Sequence, residues 1–168
     1  MSPITEQIDV LSWDKLKQMY SYGPPAPGIM QKFIYSPTNK ATLYRIMFFN
    51  PKNSDERADF GFCLTNKKNY FSSKTSTEER CLHISEKEGS FTVYKISGKT
   101  IKDFSTYSFN LCQFIEHSLG IMIENMAVDF TKDELGNIFF LNVKSFKLVH
   151  AKRYNELALM TEDQRNAK

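Results

Sequence analysis

The sequence predicts an α+β fold: a mostly antiparallel sheet, one long helix on one face, an extended N-terminal arm and a short C-terminal helical tail. Three observations carry this. Short apolar runs bounded by turn-forming residues recur from Ile29 to Val149, as hairpin-linked strands do. Tyr107, Leu111, Phe114, Ile115 and Leu119 repeat at helical spacing. Met126–Val149 places two apolar runs around Asp133-Glu134-Leu135-Gly136-Asn137, where a type I turn at Glu134-Leu135 followed by Gly136 at positive φ reverses the chain.

Residues 1–28 read as an arm. Ser12 can cap a short helix carrying Trp13, Leu16, Met19 and Tyr20 on one side. Tyr22-Gly23-Pro24-Pro25-Ala26-Pro27-Gly28 then forbids helix and favours an extended, polyproline-like connector. Trp13 either folds back on the chain's own sheet or anchors a partner, a role in which Trp is enriched.

A single domain spans residues 29–150. Its extended runs are Ile29–Tyr35, Ala41–Asn50, Ala58–Leu64, Cys81–Ser85 and Phe91–Ile96, separated by Pro-, Asn-, Gly- and Ser-containing breaks. Leu43–Phe49 is apolar on both faces apart from Arg45, as a central strand is. Cys81–Ile96, with Glu88-Gly89-Ser90 at its middle, reads as a second hairpin, and Ser72–Arg80 as a mobile polar loop. Asp103 or Ser105 can start the long helix and Gly120 can end it in the left-handed conformation. The hairpin from Met126 completes the sheet. Residues 151–168 form an amphipathic tail with Tyr154, Leu157 and Ala158 on one side.

Composition narrows the classes. Fourteen Phe and eight Tyr stand against seven Gly in 168 residues. Burying one Phe contributes roughly 1.5–3 kcal/mol, so an aromatic core can hold a small sheet without metals or disulfides. A formal charge of +3 and a pI near 8.7 fall short of a nucleic-acid signature. Cys63, Cys81 and Cys112 show neither zinc-ligand nor paired-disulfide spacing, which points to a reducing compartment. No secretory signal, transit peptide or membrane-span run is read, so an intracellular, cytoplasmic chain is expected.

Val128-Asp129-Phe130, Asp133, Gly136 and Phe139-Phe140-Leu141 together resemble the closing hairpin of ATP-grasp ligases, tubulin-tyrosine-ligase-like enzymes included. That resemblance covers the hairpin and the preceding helix. It implies a second strand of the form Leu-Glu-x-Asn, whose Glu and Asn hold Mg²⁺ against ATP. This chain has Leu141, Asn142, Val143 and Lys144 there. A neutral amide is a poor Mg²⁺ ligand and an ammonium repels the ion. The pattern therefore implies a degenerate nucleotide-binding remnant or a convergent hairpin. The series Val128, Asp129, Phe130, Asp133, Gly136, Phe140, Leu141, Lys144, Ser145 and Phe146 also resembles hairpins of ciliary and flagellar axoneme proteins of protists. That second resemblance implies a cytoskeletal host and no catalytic residues.

Other constellations carry less. Cys81 with His83, and Cys112 with His117, lack the orienting third group a nucleophilic pair needs; His150 stands alone. Asp55-Glu56, Glu78-Glu79, Glu86 with Glu88 and Asp133-Glu134 lie in expected turns. Asp129 is the exception: it faces the side opposite to Val128 and Phe130 and is expected to pair with a lysine such as Lys144. Lys144, Lys147, Lys152 and Arg153, with Phe146 and Tyr154 interleaved, could grip phosphate and stack bases, meet an acidic protein surface such as tubulin's, or protect a sheet edge.

The function expected from all this is that of a non-catalytic structural or interaction subunit of a large intracellular assembly, a ciliary axoneme or other microtubule-based structure. Its partners are proteins, contacted by Trp13, Leu16, Tyr20, Lys144, Lys147, Lys152, Arg153 and Tyr154. A ribosomal or mitochondrial subunit and a degenerate ATP-grasp-like domain are the alternatives. No cofactor, metal, small-molecule substrate, nucleic acid or membrane contact is expected.

Overall fold

The computed structural model describes residues 10–23, 30–54, 58–81 and 90–149, with the side chain of residue 78 left out. In chain order the elements are α1 (Trp13–Ser21), β1 (Lys40–Phe49), β2 (Phe60–Asn69), α2 (Thr77–Cys81), β3 (Phe91–Ile96), α3 (Gly98–Leu119), β4 (Ile123–Lys132) and β5 (Ile138–Leu148). The strands form one antiparallel sheet in the order β3-β2-β1-β4-β5, which makes the fold α+β.

β1 is the central strand, as its two-sided apolar sequence requires. On one face Tyr44, Ile46 and Phe48 stand opposite Phe130, Val128 and Met126 of β4. Against that face α3 packs Phe104, whose ring centroid lies 4.8 Å from Tyr44 and 5.2 Å from Phe130. Cys112 and Ile123 close the same core.

The other face carries Arg45 opposite Phe62 and Asp129, and Leu43 opposite Leu64. Among the described residues it is covered at one end only. There α2 lies over β1 and β2, and Asn66 donates its side-chain amide to the carbonyls of Glu79 and Arg80. Ala41, Tyr70 and Cys81 form a small separate core with Val10 and Phe33 against it.

α3 is fixed at its C-terminal end by a polar node. Glu116 Oε1 accepts from Asn50 Nδ2 (3.2 Å), Asn53 Nδ2 (2.9 Å) and the backbone N–H of Ile123 (2.7 Å). Both asparagines are buried, and both also donate to the Ile123 carbonyl. Gly120 then ends α3 at φ 63°, donating to the Glu116 carbonyl, as the left-handed cap was expected to do.

Several expectations are corrected. The long helix starts at Gly98, five residues before Asp103, behind Ser97, whose side chain makes no capping bond. Its buried residues are Phe104, Ser108 and Cys112. Of the expected stripe, Leu111 and Ile115 reach the core margin while Tyr107, Phe114 and Leu119 stay exposed. Glu116 lies on the side of Cys112, and its buried partners rotate the helix away from the purely apolar solution.

Residues 30–35 are not a strand. Side chains anchor them instead: Gln31 Nε2 donates to the Phe140 carbonyl, and the Phe33 and Tyr35 rings meet Tyr70 edge-on. β2 runs past Leu64 to Asn69, because β1 offers a partner as far as Lys40. β3 pairs with β2, and Cys81, expected to open the first strand of a hairpin with β3, instead ends a helix. Residues 82–85 and the Glu88-Gly89 turn lie outside the described residues. The expected loop Ser72–Arg80 contains α2, tied down by Lys68–Glu79 (2.9 Å) and by Arg80 donating to the Tyr70 carbonyl. The C-terminal tail, the arm before Val10 and the connector at 24–29 also lie outside the described residues.

Gly61 sits where β2 passes β1 and β3. A Cβ there would stand 2.8 Å from Ile46 Cδ1 and 2.9 Å from the Arg45 carbonyl oxygen and Ile96 Cδ1. The carbonyl cannot turn aside without breaking the ladder. Gly61→Ala is expected to destabilise the fold by about 1–3 kcal/mol, the range for overpacking; an unchanged urea midpoint would contradict this packing.

Candidate functional site

The β4–β5 hairpin turns as its sequence requires. Asp133 N–H donates to the Asn137 carbonyl, Gly136 N–H donates to the Asp133 carbonyl, and Gly136 has φ 83°. The Asp133 carboxylate accepts from the backbone N–H groups of Leu135 and Asn137 and from Asn137 Nδ2, all within 2.9 Å. The Asn137 side-chain bond first, and then these backbone donors, hold Asp133 below the usual carboxylate range.

Asp129, the carboxylate the sequence singles out, is buried in the middle of β4. Its partner is Arg45 on β1 and not the expected Lys144. Arg45 Nε and Nη2 reach the two carboxylate oxygens at 2.8 Å each, a bidentate pair. The correction follows from sheet order: Arg45 and Asp129 are direct cross-strand neighbours, and Asn142 occupies the β5 position opposite Asp129. Asp129 hydrogen bonding comes first among the influences that raise the Arg45 pKa. The Arg45 guanidinium thus takes both Asp129 oxygens. Among the described residues, no group of three His, Cys, Asp or Glu side chains converges.

Cys112 and His117 do not come together either. Cys112 is buried, its thiol pushed up to about 12 by burial and then by Glu116, so it stays protonated. His117 is exposed. Cys81 is buried; His83 and His150 lie outside the described residues.

The expected partner-binding residues divide. Ser12 Oγ accepts from Lys15 N–H and caps α1, which buries none of its residues. Trp13 is 67% exposed, Tyr20 is exposed and Leu16 half-buried, with Lys17 Nζ 5.4 Å from the Trp13 ring centroid. On β5, Lys144 is exposed, whereas Lys147 pairs with Glu124 at 2.7 Å. Lys152, Arg153 and Tyr154 lie outside the described residues. The α1 residues thus share one accessible helix, while the basic set loses Lys147 to an ion pair.

The structure adds surfaces that the sequence reading missed. On the face away from α3, Phe49, Phe60 and Phe62 form a chain of ring contacts at 6.0 and 6.1 Å. On α3's own side, β5 leaves Phe140, Phe146 and Leu148 exposed, and α3 leaves Tyr107 and Phe114 exposed. A polar cleft of about 500 Å³ at the hairpin end is lined by Asp103, Thr106, Tyr107, Lys132, Asn137 and Ile138, together with Gly136. One signal in the sequence pointed this way: α3 is apolar around more of its circumference than a single buried stripe needs. No protein-family model, curated protein or solved structure matches the chain.

Two outcomes test this geometry. Arg45→Met leaves Asp129 buried without its counter-charge and is expected to cost about 3 kcal/mol, the low end for a broken buried pair because Arg45 is partly exposed. Arg45→Met with Asp129→Leu should recover most of that loss in chemical denaturation; equal losses in the single and double variants would deny the coupling. The depressed Asp133 pKa stabilises the fold fully above the unfolded value of about 3.9, and that contribution disappears as pH falls through the lower folded value. The stability gap between the natural chain and Asp133→Ala should therefore be constant above about pH 5 and narrow steadily below pH 4. A gap independent of pH would contradict it.

Proposed function

We propose that this chain is a non-catalytic interaction subunit of a larger protein assembly, docking through α1. One observation carries the proposal: α1 is a capped helix with Trp13, Met19 and Tyr20 exposed and no residue buried. Holding a capped helix in order while its largest apolar side chains face water gains nothing from burial, and most helical stability in proteins comes from a packed apolar face. Trp and Tyr on such a helix are the residues that dominate binding energy at interfaces.

The surroundings of the carboxylates support the non-catalytic part. Asp129 is neutralised by Arg45 and Asp133 is consumed by its own turn. A microtubule-based assembly, the axoneme above all, is the proposed host, on the resemblance of the 126–149 hairpin to axonemal hairpins. Exposed Lys144 suits the acidic surface that tubulin presents.

Trp13→Ala in the full chain should abolish retention in a detergent- and salt-resistant assembly pellet. Thermal stability should stay within about 0.5 kcal/mol, as for surface substitutions generally. Unchanged retention of Trp13→Ala would refute docking through α1.

A further inference from the structure

Among the described residues, the face of the sheet that α3 covers has room for a second helix. Strands stand about 4.8 Å apart and a helix with its side chains is about 10 Å across, so one helix covers roughly two strands. α3 lies on β1 and β4. Phe140, Phe146 and Leu148 of β5 stand opposite Phe130, Met126 and Ile123, which puts them on the face α3 occupies. They remain exposed, Phe146 to 56%. The facing flank of α3 is apolar as well: Tyr107 and Phe114 lie two turns apart, and Phe114 is 68% exposed. The cleft fixes the direction of this flank, because Asp103, Thr106 and Tyr107 line it together with Lys132 and Ile138 at the start of β5. The result is an apolar groove between α3 and β5.

We propose that this groove receives α1 of a second copy of the chain, so that two copies exchange α1 helices. The proposal rests on the reading of α1 as a docking element and names its partner. Trp13, Leu16 and Tyr20 recur at the i, i+3, i+7 spacing by which helices dock in apolar grooves. The charges match too. At the hairpin end Lys132 holds its Nζ 5.0 Å from the Phe104 ring centroid, and among the described residues no carboxylate pairs with it. Asp103 lines the same cleft. α1 carries Asp14 and Lys17 one turn apart along the flank of its apolar stripe. With the N-terminus of α1 at the hairpin end, Asp14 faces Lys132 and Lys17 faces Asp103.

A second copy fits better than the chain's own helix. Val10, just before α1, packs with Ala41, Tyr70 and Cys81, a cluster separate from the α3 core and at the end where α2 covers the opposite face. Occupying its own groove would pull Val10 out of that cluster. Exchange between two copies is also symmetric, so two equal sites form together and approach the roughly 800 Å² per partner that stable complexes bury.

The chain has one Trp, so its emission reports on α1 alone. Sedimentation of the full chain should show a concentration-dependent dimer, with Trp13 emission moving to shorter wavelength along the same isotherm. Phe146→Asp should weaken the dimer about tenfold or more, as loss of a central apolar contact does, and leave the far-UV spectrum unchanged. Trp13→Ala should weaken it similarly. A chain that stays monomeric at its highest soluble concentration with Trp13 emission solvent-like overturns the proposal. Blue-shifted emission independent of concentration overturns it as well, assigning the groove to the chain's own helix. If the chain is monomeric yet Trp13→Ala still fails to enter the assembly, the interaction reading survives and only the second copy is refuted.

Discussion

One carboxylate oxygen decides how the principal helix lies on the sheet. Glu116 Oε1 accepts three hydrogen bonds, two from the buried amides of Asn50 and Asn53 and one from Ile123 N–H. These donors come from the segment just after β1 and from the first residue of β4. The node therefore joins both central strands to the last turn of α3. Buried amides left without acceptors cost about 1–3 kcal/mol each, comparable with burying one large apolar side chain. The rotation that brings Glu116 to these donors prevails over one that would bury Tyr107 and Phe114.

The rotation has a consequence on the other side of the helix. With Phe104, Ser108 and Cys112 turned inward, α3 offers an apolar flank to solvent next to an edge strand whose Phe140, Phe146 and Leu148 are also uncovered. Long edge strands are usually blunted by charge; β5 keeps Lys144 exposed, while Lys147 pairs with Glu124. Polar satisfaction at one end of the helix thus leaves the apolar surplus from which the groove is made.

Much of the architecture was legible in the sequence. The hairpin turn at Asp133–Asn137, the Gly120 cap, the Ser12 cap and the central position of Leu43–Phe49 all depend on local chemistry, and the structure has them. What escaped depends on contacts distant in sequence. Arg45 and Asp129 are eighty-four positions apart, and only the adjacency of β1 and β4 brings them together. Without strand order, Lys144 was as good a partner as any. The helix face escaped for the same reason: periodicity weighs apolar residues, and Asn50 and Asn53 enter only through the fold. The pairing of β3 with β2 escaped likewise, because α2 lies between them in the chain.

The adjacency of β1 and β4 also explains the role of Asp129. Asp129 sits between β1 and β5, facing Arg45 on one side and Asn142 on the other. An unpaired carboxylate buried there would be untenable, because removing an ionised group from water costs several kcal/mol even after relaxation. Either a cation or a guanidinium must accompany it. Arg45 supplies the charge permanently, in bidentate geometry, from the most central strand of the sheet. Asp129 thereby becomes a structural tie between β1 and β4. Chemistry that depended on an exchangeable cation at this position would first have to displace a covalently tethered one.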